Sequence, residues 1–411
     1  MYKNWCSMYI KRILEDRVTY LAKHFPAVML CGARQVGKTT LLKKISENQK
    51  DIHYVTLDYP RVRELAKNDP ELFLQQYSAP IIIDEIQYAP ELLPFIKIKV
   101  DENNRNGSYY LTGSQMFHLM NNVSESLAGR VGILSMYSMS RAEIDEGNSI
   151  PFNPSKIQNI VSDDSITDIF DRILKGGMPR IISDPEVSTD DFFGSYVQTY
   201  IERDIRDLIK IKDENKFIKF ISSVAARTSQ EVNMADIAKD VDIDRKTAES
   251  WLSILVSSGI VVLLSPYSGN TIKRIIKRPK LYFMDTGLAC YLSMWNNARA
   301  LELSAMSGAM FENYVISEII KSYSNNGIDT RSRLFYYRDN NGKEIDLLIR
   351  DNGKLYPIEI KKSADPGKNA LKNFSVLSSF NEEIGEGAVL CMSSMTISLD
   401  EKNKIVPIKA I

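Results

Sequence analysis

Apolar residues in the first third of the chain fall in short runs separated by stretches with helical spacing. Ala27–Cys31, His53–Asp58, Ile81–Ile83 ahead of Asp84 and Glu85, and Ser108–Thr112 each predict a strand. Runs apolar at consecutive rather than alternate positions predict strands buried on both faces. Thr40–Ile45 and Arg61–Gln76 between them carry helical spacing, and the alternation predicts a doubly wound parallel sheet. Residues 146–166, rich in Asn, Ser, Asp and Pro, break the pattern and predict a linker. Helical patterning then dominates: Ile169–Leu174, one long helix Phe192–Ile211, then Phe217–Ala226, Met234–Val241 and Arg245–Ser258, the last capped by Asp244. A strand Ile260–Leu264 and a return strand toward Lys280–Met284 complete the element order of a winged helix. Near the C-terminus a helix, Ala309–Tyr323, precedes two runs that flank Asn352-Gly353, a strong hairpin signal. With those two residues as the loop, Asp351 pairs with Lys354, Leu347 with Ile358 and Ile345 with Ile360. Asp346 then lies opposite Glu359, and Glu344 opposite Lys361.

The expected class is α/β, in two to three domains over 411 residues: a P-loop parallel-sheet domain (1–145), a linker and helical region (146–215), a winged-helix-like domain (216–284) and an α/β C-terminal domain (285–411). Fifty-two basic and 52 acidic residues cancel, so any nucleic-acid site must be a local patch. Four scattered cysteines and three separated histidines match no disulfide or zinc spacing. The N-terminus has no signal-type apolar core, and the longest apolar run is of strand length, which predicts a cytoplasmic protein with no membrane partner.

Chemistry enters at Gly32-Ala33-Arg34-Gln35-Val36-Gly37-Lys38-Thr39, which fits G-x-x-x-x-G-K-[ST] between a predicted strand and a predicted helix. Backbone N–H groups there, continuing to Thr40, are placed to cradle the phosphates of ATP. Lys38 is expected at the β/γ-phosphates, Thr39 and Asp84 at Mg²⁺, and Glu85 at the attacking water. Together with Ile83–Gln87 (IDEIQ), Leu111–Gln115 (LTGSQ) and Leu127–Val131 (LAGRV), this segment resembles a large family of prokaryotic AAA-type ATPases with a C-terminal region of poorly defined function. The resemblance implies a sensor at Ser114 or Gln115 near the γ-phosphate. It makes Arg130 the candidate arginine for the phosphates, in cis or from a neighbouring subunit of an oligomer.

In the middle region, Glu202, Arg203, Asp204, Arg206 and Asp207 sit at spacings that predict an ion-paired helix face. Lys273, Arg274, Lys277, Arg278 and Lys280 give the predicted wing a basic stretch without an intervening acid. Two readings follow: contact with DNA phosphates, or docking onto a protein. The hairpin places Asp346, Glu359 and Lys361 as D…E-x-K, and the segment resembles the PD-(D/E)xK nuclease superfamily, with Ile345 where the usual proline stands. The resemblance implies Mg²⁺ on Asp346 and Glu359, an extra carboxylate at Glu312, and Lys361 acting on water. The alternative leaves Lys361 in a cross-strand bridge to Glu344 and Asp346 solvated at a sheet edge. The functional expectation is a Mg²⁺-dependent ATPase, DNA-associated, whose nuclease-like C-terminal domain binds or cuts nucleic acid. Its rival is an ATP-driven switch on a protein partner with an inactive C-terminal domain.

Overall fold

The computed structural model describes residues 9–47, 51–103, 105–114, 126–147, 150–201, 214–268 and 278–411. Five parallel strands, β1 (Ala27–Cys31), β2 (His53–Thr56), β3 (Ile81–Asp84), β4 (Tyr109–Gly113) and β5 (Val131–Ser135), form a sheet ordered β2-β3-β4-β1-β5. Continuous apolar runs make this possible. Val28 and Leu30 enter the core on one face of the sheet, and Ala27, Met29 and Cys31 enter the core on the other. The fifth strand was not expected: its Gly132 and half-exposed pattern on the sheet edge give a weak strand signal. The helix expected over Arg61–Gln76 is two, Pro60–Asn68 and Pro70–Gln76. Pro70 lacks an N–H and Asp69 caps the second helix by accepting from Leu72 N, so the chain restarts there.

Residues 146–166 are not a free linker. Phe152 is buried, its N–H donates to Ser322 Oγ (3.1 Å), and its carbonyl accepts from Tyr323 OH (2.9 Å). Val161 bridges to Met395, Ser162 N–H donates to Ser394 O and Asp163 pairs with Lys409, so the segment is docked on the C-terminal part along its length. The long helix expected from Phe192 is α-helical over Thr189–Tyr196 and continues as a π-helical turn, Val197–Ile201. The charges at 202–207 lie outside the described residues.

Helices Glu214–Ala225, Met234–Val241 and Arg245–Ser257 follow, with Trp251 packed edge-on against Phe217 and Phe220. Then come antiparallel β6 (Val261–Leu264) and β7 (Lys280–Phe283). The helix Ser307–Asn325 packs on β7 and carries the chain into a mixed sheet. Its strands are β8 (Leu334–Arg338), β9 (Glu344–Asp351), β10 (Lys354–Lys361), β11 (Glu383–Ile384), β12 (Gly387–Cys391), β13 (Ile397–Ser398) and β14 (Asn403–Pro407). Their order is β13-β14-β12-β10-β9-β8, with β11 also on β10. The hairpin register is as expected from Lys354 opposite Asp351 to Ile358 opposite Leu347, where the ladder pairing ends, short of the expected Asp346–Glu359 and Glu344–Lys361 pairs. One hydrophobic cluster runs from Leu14 and Val28 through Phe217 and Trp251 to Leu347 and Ile408, so the three parts share a core.

Candidate active site and the C-terminal carboxylate cluster

In a parallel sheet the strand C-termini share one edge, and β1, β3 and β4 deliver Gly32–Thr39, Asp84–Glu85 and Ser114 to it. Gly32 has φ +151°, and a Cβ there would lie 2.0 Å from Met136 O, so no other residue fits. Gly37 is left-handed, and the helix Lys38–Ser46 begins at the next residue. Lys38 is buried, its Nζ donating to Gly32 O (2.9 Å) and Ala33 O (2.8 Å). Burial lowers its pKa, while the charges of Glu85, Cys31 and Asp84 pull the other way. An anionic phosphate would strengthen that second pull.

Asp84 is the hub of the acidic side. It accepts from Thr39 Oγ1 (2.8 Å), Tyr54 OH (2.9 Å) and Thr112 Oγ1 (2.5 Å). Thr39 and Asp84 thus meet as a hard oxygen pair, which fits Mg²⁺. Glu85 sits at φ 59°, ψ 48°, a strained conformation for a non-glycine residue, its N–H donating to Thr112 Oγ1 (3.0 Å). Its carboxylate accepts from Gln87 Nε2 and from Ser114 Oγ (3.3 Å), and Gln87 also donates to Ser114 (3.0 Å). The acid and the expected sensor therefore share one network, with Gln87 as its link. Gln115 lies outside the described residues.

Gly37, Lys38, Thr39, Thr40 and Glu85 line a cavity of ≈ 640 Å³ together with two arginines that motif spacing did not single out. Arg12, 3% exposed, donates to Val36 O in the glycine loop (2.7 Å), to Tyr137 O (2.9 Å) and to Glu143 Oε1 (2.8 Å). It braces the loop from behind. Arg180 reaches the cavity from the short helix Pro179–Ser183 of the middle region. Arg130 does not reach it. Arg130 precedes β5 at the opposite end of the sheet, where it pairs with Asp101 (2.5 Å). Five strand residues at about 3.3 Å each separate it from the glycine loop. Action on this chain's own phosphates is thus excluded by topology, because the N-terminal end of a parallel strand faces away from the site.

A second polar group lies in the C-terminal sheet. Asp346, Glu359, Lys361 and Glu312 come together there, and Asp346 and Glu359 are 8% and 6% exposed rather than solvated at an edge. The edge reading fails because β9 and β10 are both flanked by other strands. Lys361 Nζ lies 2.6 Å from Glu359 Oε1 and 3.9 Å from Asp346 Oδ2, and Asp346 accepts from Ile360 N (2.8 Å). The cross-strand bridge from Lys361 to Glu344 is absent among the described residues. Glu344 is instead 2.5 Å from Lys280 Nζ, which also contacts Glu312 Oε1 at 3.0 Å. Lys280 is 3% exposed, so it is not a wing cation. Its place in β7 turns it inward, which an unbroken basic run could not reveal. Of the other wing charges, Arg278 is described, while Lys273, Arg274 and Lys277 lie outside the described residues.

Glu312, Asp346 and Glu359 gather, yet not as ligands of one ion. Among the described residues no three acidic, histidine or cysteine side chains are placed to hold a metal. Burial first, and the Asp346 charge second, push Glu312 and Glu359 up to about 7. A carboxyl raised in the folded state stabilises it below the unfolded pKa and loses that contribution as pH rises through the folded one. The contribution of Glu359 is therefore expected to fall as pH rises from 4.5 to 7. Denaturant unfolding of Glu359→Gln across that window should show a flatter profile than the unsubstituted chain; parallel profiles would refute the shift.

Comparison with known proteins follows the same division. Residues 24–145 match a family described as an AAA domain. That match spans the glycine loop, Asp84 and Glu85. Residues 166–299 and 307–411 match two families described only as domains of unknown function, DUF8612 and DUF4143. Uncharacterized proteins of Mycobacterium tuberculosis and Mycobacterium bovis are each 28% identical over 365 residues, covering 88% of this chain and 76% of theirs. Among solved structures, a Walker-type ATPase of Pyrococcus abyssi overlaps 68% of this chain and 94% of its own at 15% identity, with a TM-score of 0.43. The segment that matches an AAA domain thus lies ahead of two segments that match domains of unknown function. No helix among its described residues is long and apolar enough to cross a membrane.

Proposed function

We propose that this protein is a Mg²⁺-dependent ATP hydrolase that works in association with nucleic acid. The observation that carries the first part is the meeting of Lys38, Thr39, Asp84 and Glu85 at one sheet edge beside a ≈ 640 Å³ cavity. In this reading backbone N–H groups of Gly32–Thr40 hold the phosphates and Lys38 leaves its two carbonyls to meet them. Thr39 and Asp84 hold Mg²⁺, which would offset charge on the phosphates. Glu85, positioned by Gln87 and Ser114, orients water, and Arg180 supplies positive charge from the middle region. Arg130 is left with a role only toward the nucleotide of another copy of the chain.

Support for nucleic acid is the helix-helix-helix-hairpin order of residues 214–283 and the basic residues Lys273, Arg274, Lys277 and Arg278 between β6 and β7. Phosphate release measured with and without Mg²⁺ and duplex DNA tests both parts. Turnover should vanish with EDTA, and DNA should raise it with a steep salt dependence that is lost on changing those four residues to Glu. Turnover without a divalent ion refutes the metal assignment; DNA without effect leaves the protein-partner reading. One observation favours that second reading, an ATP-driven switch with a catalytically silent C-terminal domain: the Lys280 ammonium holds Glu312, one of the carboxylates that cleavage would require, and its neighbour Glu344.

A further inference from the structure

The C-terminal constellation carries four carboxylates, Glu312, Glu344, Asp346 and Glu359, gathered by the helix Ser307–Asn325 and the β9–β10 hairpin. Lys361 meets one side of the group and Lys280 the other. Lys280 comes from a different part of the chain, and its position is fixed on several counts. Its strand pairs with β6, Lys280 opposite Leu264. Three residues on, Phe283 N donates to Asn313 Oδ1 (2.7 Å) and Phe283 O accepts from Asn313 Nδ2 (2.9 Å), with Asn313 wholly buried. The acid it meets, Glu312, also accepts from Tyr282 OH (2.7 Å).

Divalent cations bind carboxylate oxygen at about 2.0–2.6 Å and repel an ammonium held at the same oxygens. Lys280 Nζ lies 3.0 Å from Glu312 Oε1 and 2.5 Å from Glu344 Oε1. A metal entering the cluster would therefore have to displace a side chain locked in a paired strand. The remaining acid shows the cost of the arrangement: Glu359 Oε2 is buried and has no hydrogen-bond partner, although Lys361 holds the other oxygen.

We infer that Lys280 takes the place of the divalent cation that the D…E-x-K pattern implies. The C-terminal site binds no metal while this lysine is seated, and it serves as an ionic fastener between β7 and the C-terminal domain. This inference is independent of the ATPase reading, because it concerns a separate cluster. Mn²⁺ titration of the nucleotide-free full chain, followed by electron paramagnetic resonance of free Mn²⁺, tests it. The unsubstituted chain and Asp346→Asn should bind Mn²⁺ identically, and Lys280→Met should gain one site that the unsubstituted chain lacks. The gained site should vanish in the double variant Lys280→Met/Asp346→Asn, and Lys280→Arg should gain none. A Mn²⁺ site in the unsubstituted chain that Asp346→Asn abolishes overturns the inference, as does a folded Lys280→Met that gains nothing. If Lys280→Met does not fold, the comparison of the unsubstituted chain with Asp346→Asn decides alone.

Discussion

Replacing Lys38 by Ala is expected to lower ATP turnover by about a hundred- to a thousandfold, the loss usual when one fixed donor to a charged transition state is removed. The structure shows the lysine in a waiting position. Its ammonium is buried against two carbonyls of its own loop, and burial lowers its pKa even with the charges of Glu85 and Asp84 acting the other way. Phosphate oxygens offer further compensation, so binding and catalysis draw on the same unmet demand. The substitution also leaves the carbonyls of Gly32 and Ala33 without this donor, at a cost of about 1–3 kcal/mol if they stay buried. Turnover and thermal unfolding must therefore be measured on the same preparation. A folded Lys38→Ala chain that hydrolyses ATP within a few-fold of the original rate would remove Lys38 from the reaction.

Glu85→Gln is expected to separate binding from chemistry. Affinity for ATP should stay within about threefold, while turnover falls by roughly 10²–10⁴, the range for losing a positioned general base. The substitution keeps size and an acceptor oxygen, so the contacts from Gln87 and Ser114 have a partner to retain. What it removes is the charge that orients and deprotonates water. Fluorescent-nucleotide binding and single-turnover hydrolysis on the same variant check the split. Equal loss of affinity and rate would mean that Glu85 holds the nucleotide instead.

The central strands β1 and β3 were legible because they are apolar at nearly every position, and the loop because phosphate binding requires glycine where φ is positive and a lysine at the helix start. Position alone placed Asp84, Glu85 and Ser114 at one edge, since parallel strands end together. Arg130 misled for the same reason in reverse: its motif lies before a strand, and the sequence carries no mark of strand polarity relative to the site. Arg12 and Arg180 were invisible because their contacts span 24 or more residues or depend on how the middle region folds over the loop. The hairpin register was readable from Asn352-Gly353 alone. Lys280 was not, because a buried lysine and a solvated one look alike in a basic run, and only the packing of β7 on the helix Ser307–Asn325 separates them.

That packing also bears on how the chain divides. Asn313 hydrogen-bonds both backbone groups of Phe283, and Thr228 donates to the same amide oxygen. A fragment beginning at residue 285 would keep all four carboxylates but lose the ammonium of Lys280 and the backbone that Asn313 satisfies. Such a fragment would be an acid-rich shell left with Lys361 as the one ammonium of the two, primed to capture whatever divalent ion the buffer offers. Any metal or cleavage recorded on it would then describe the cut rather than the intact chain.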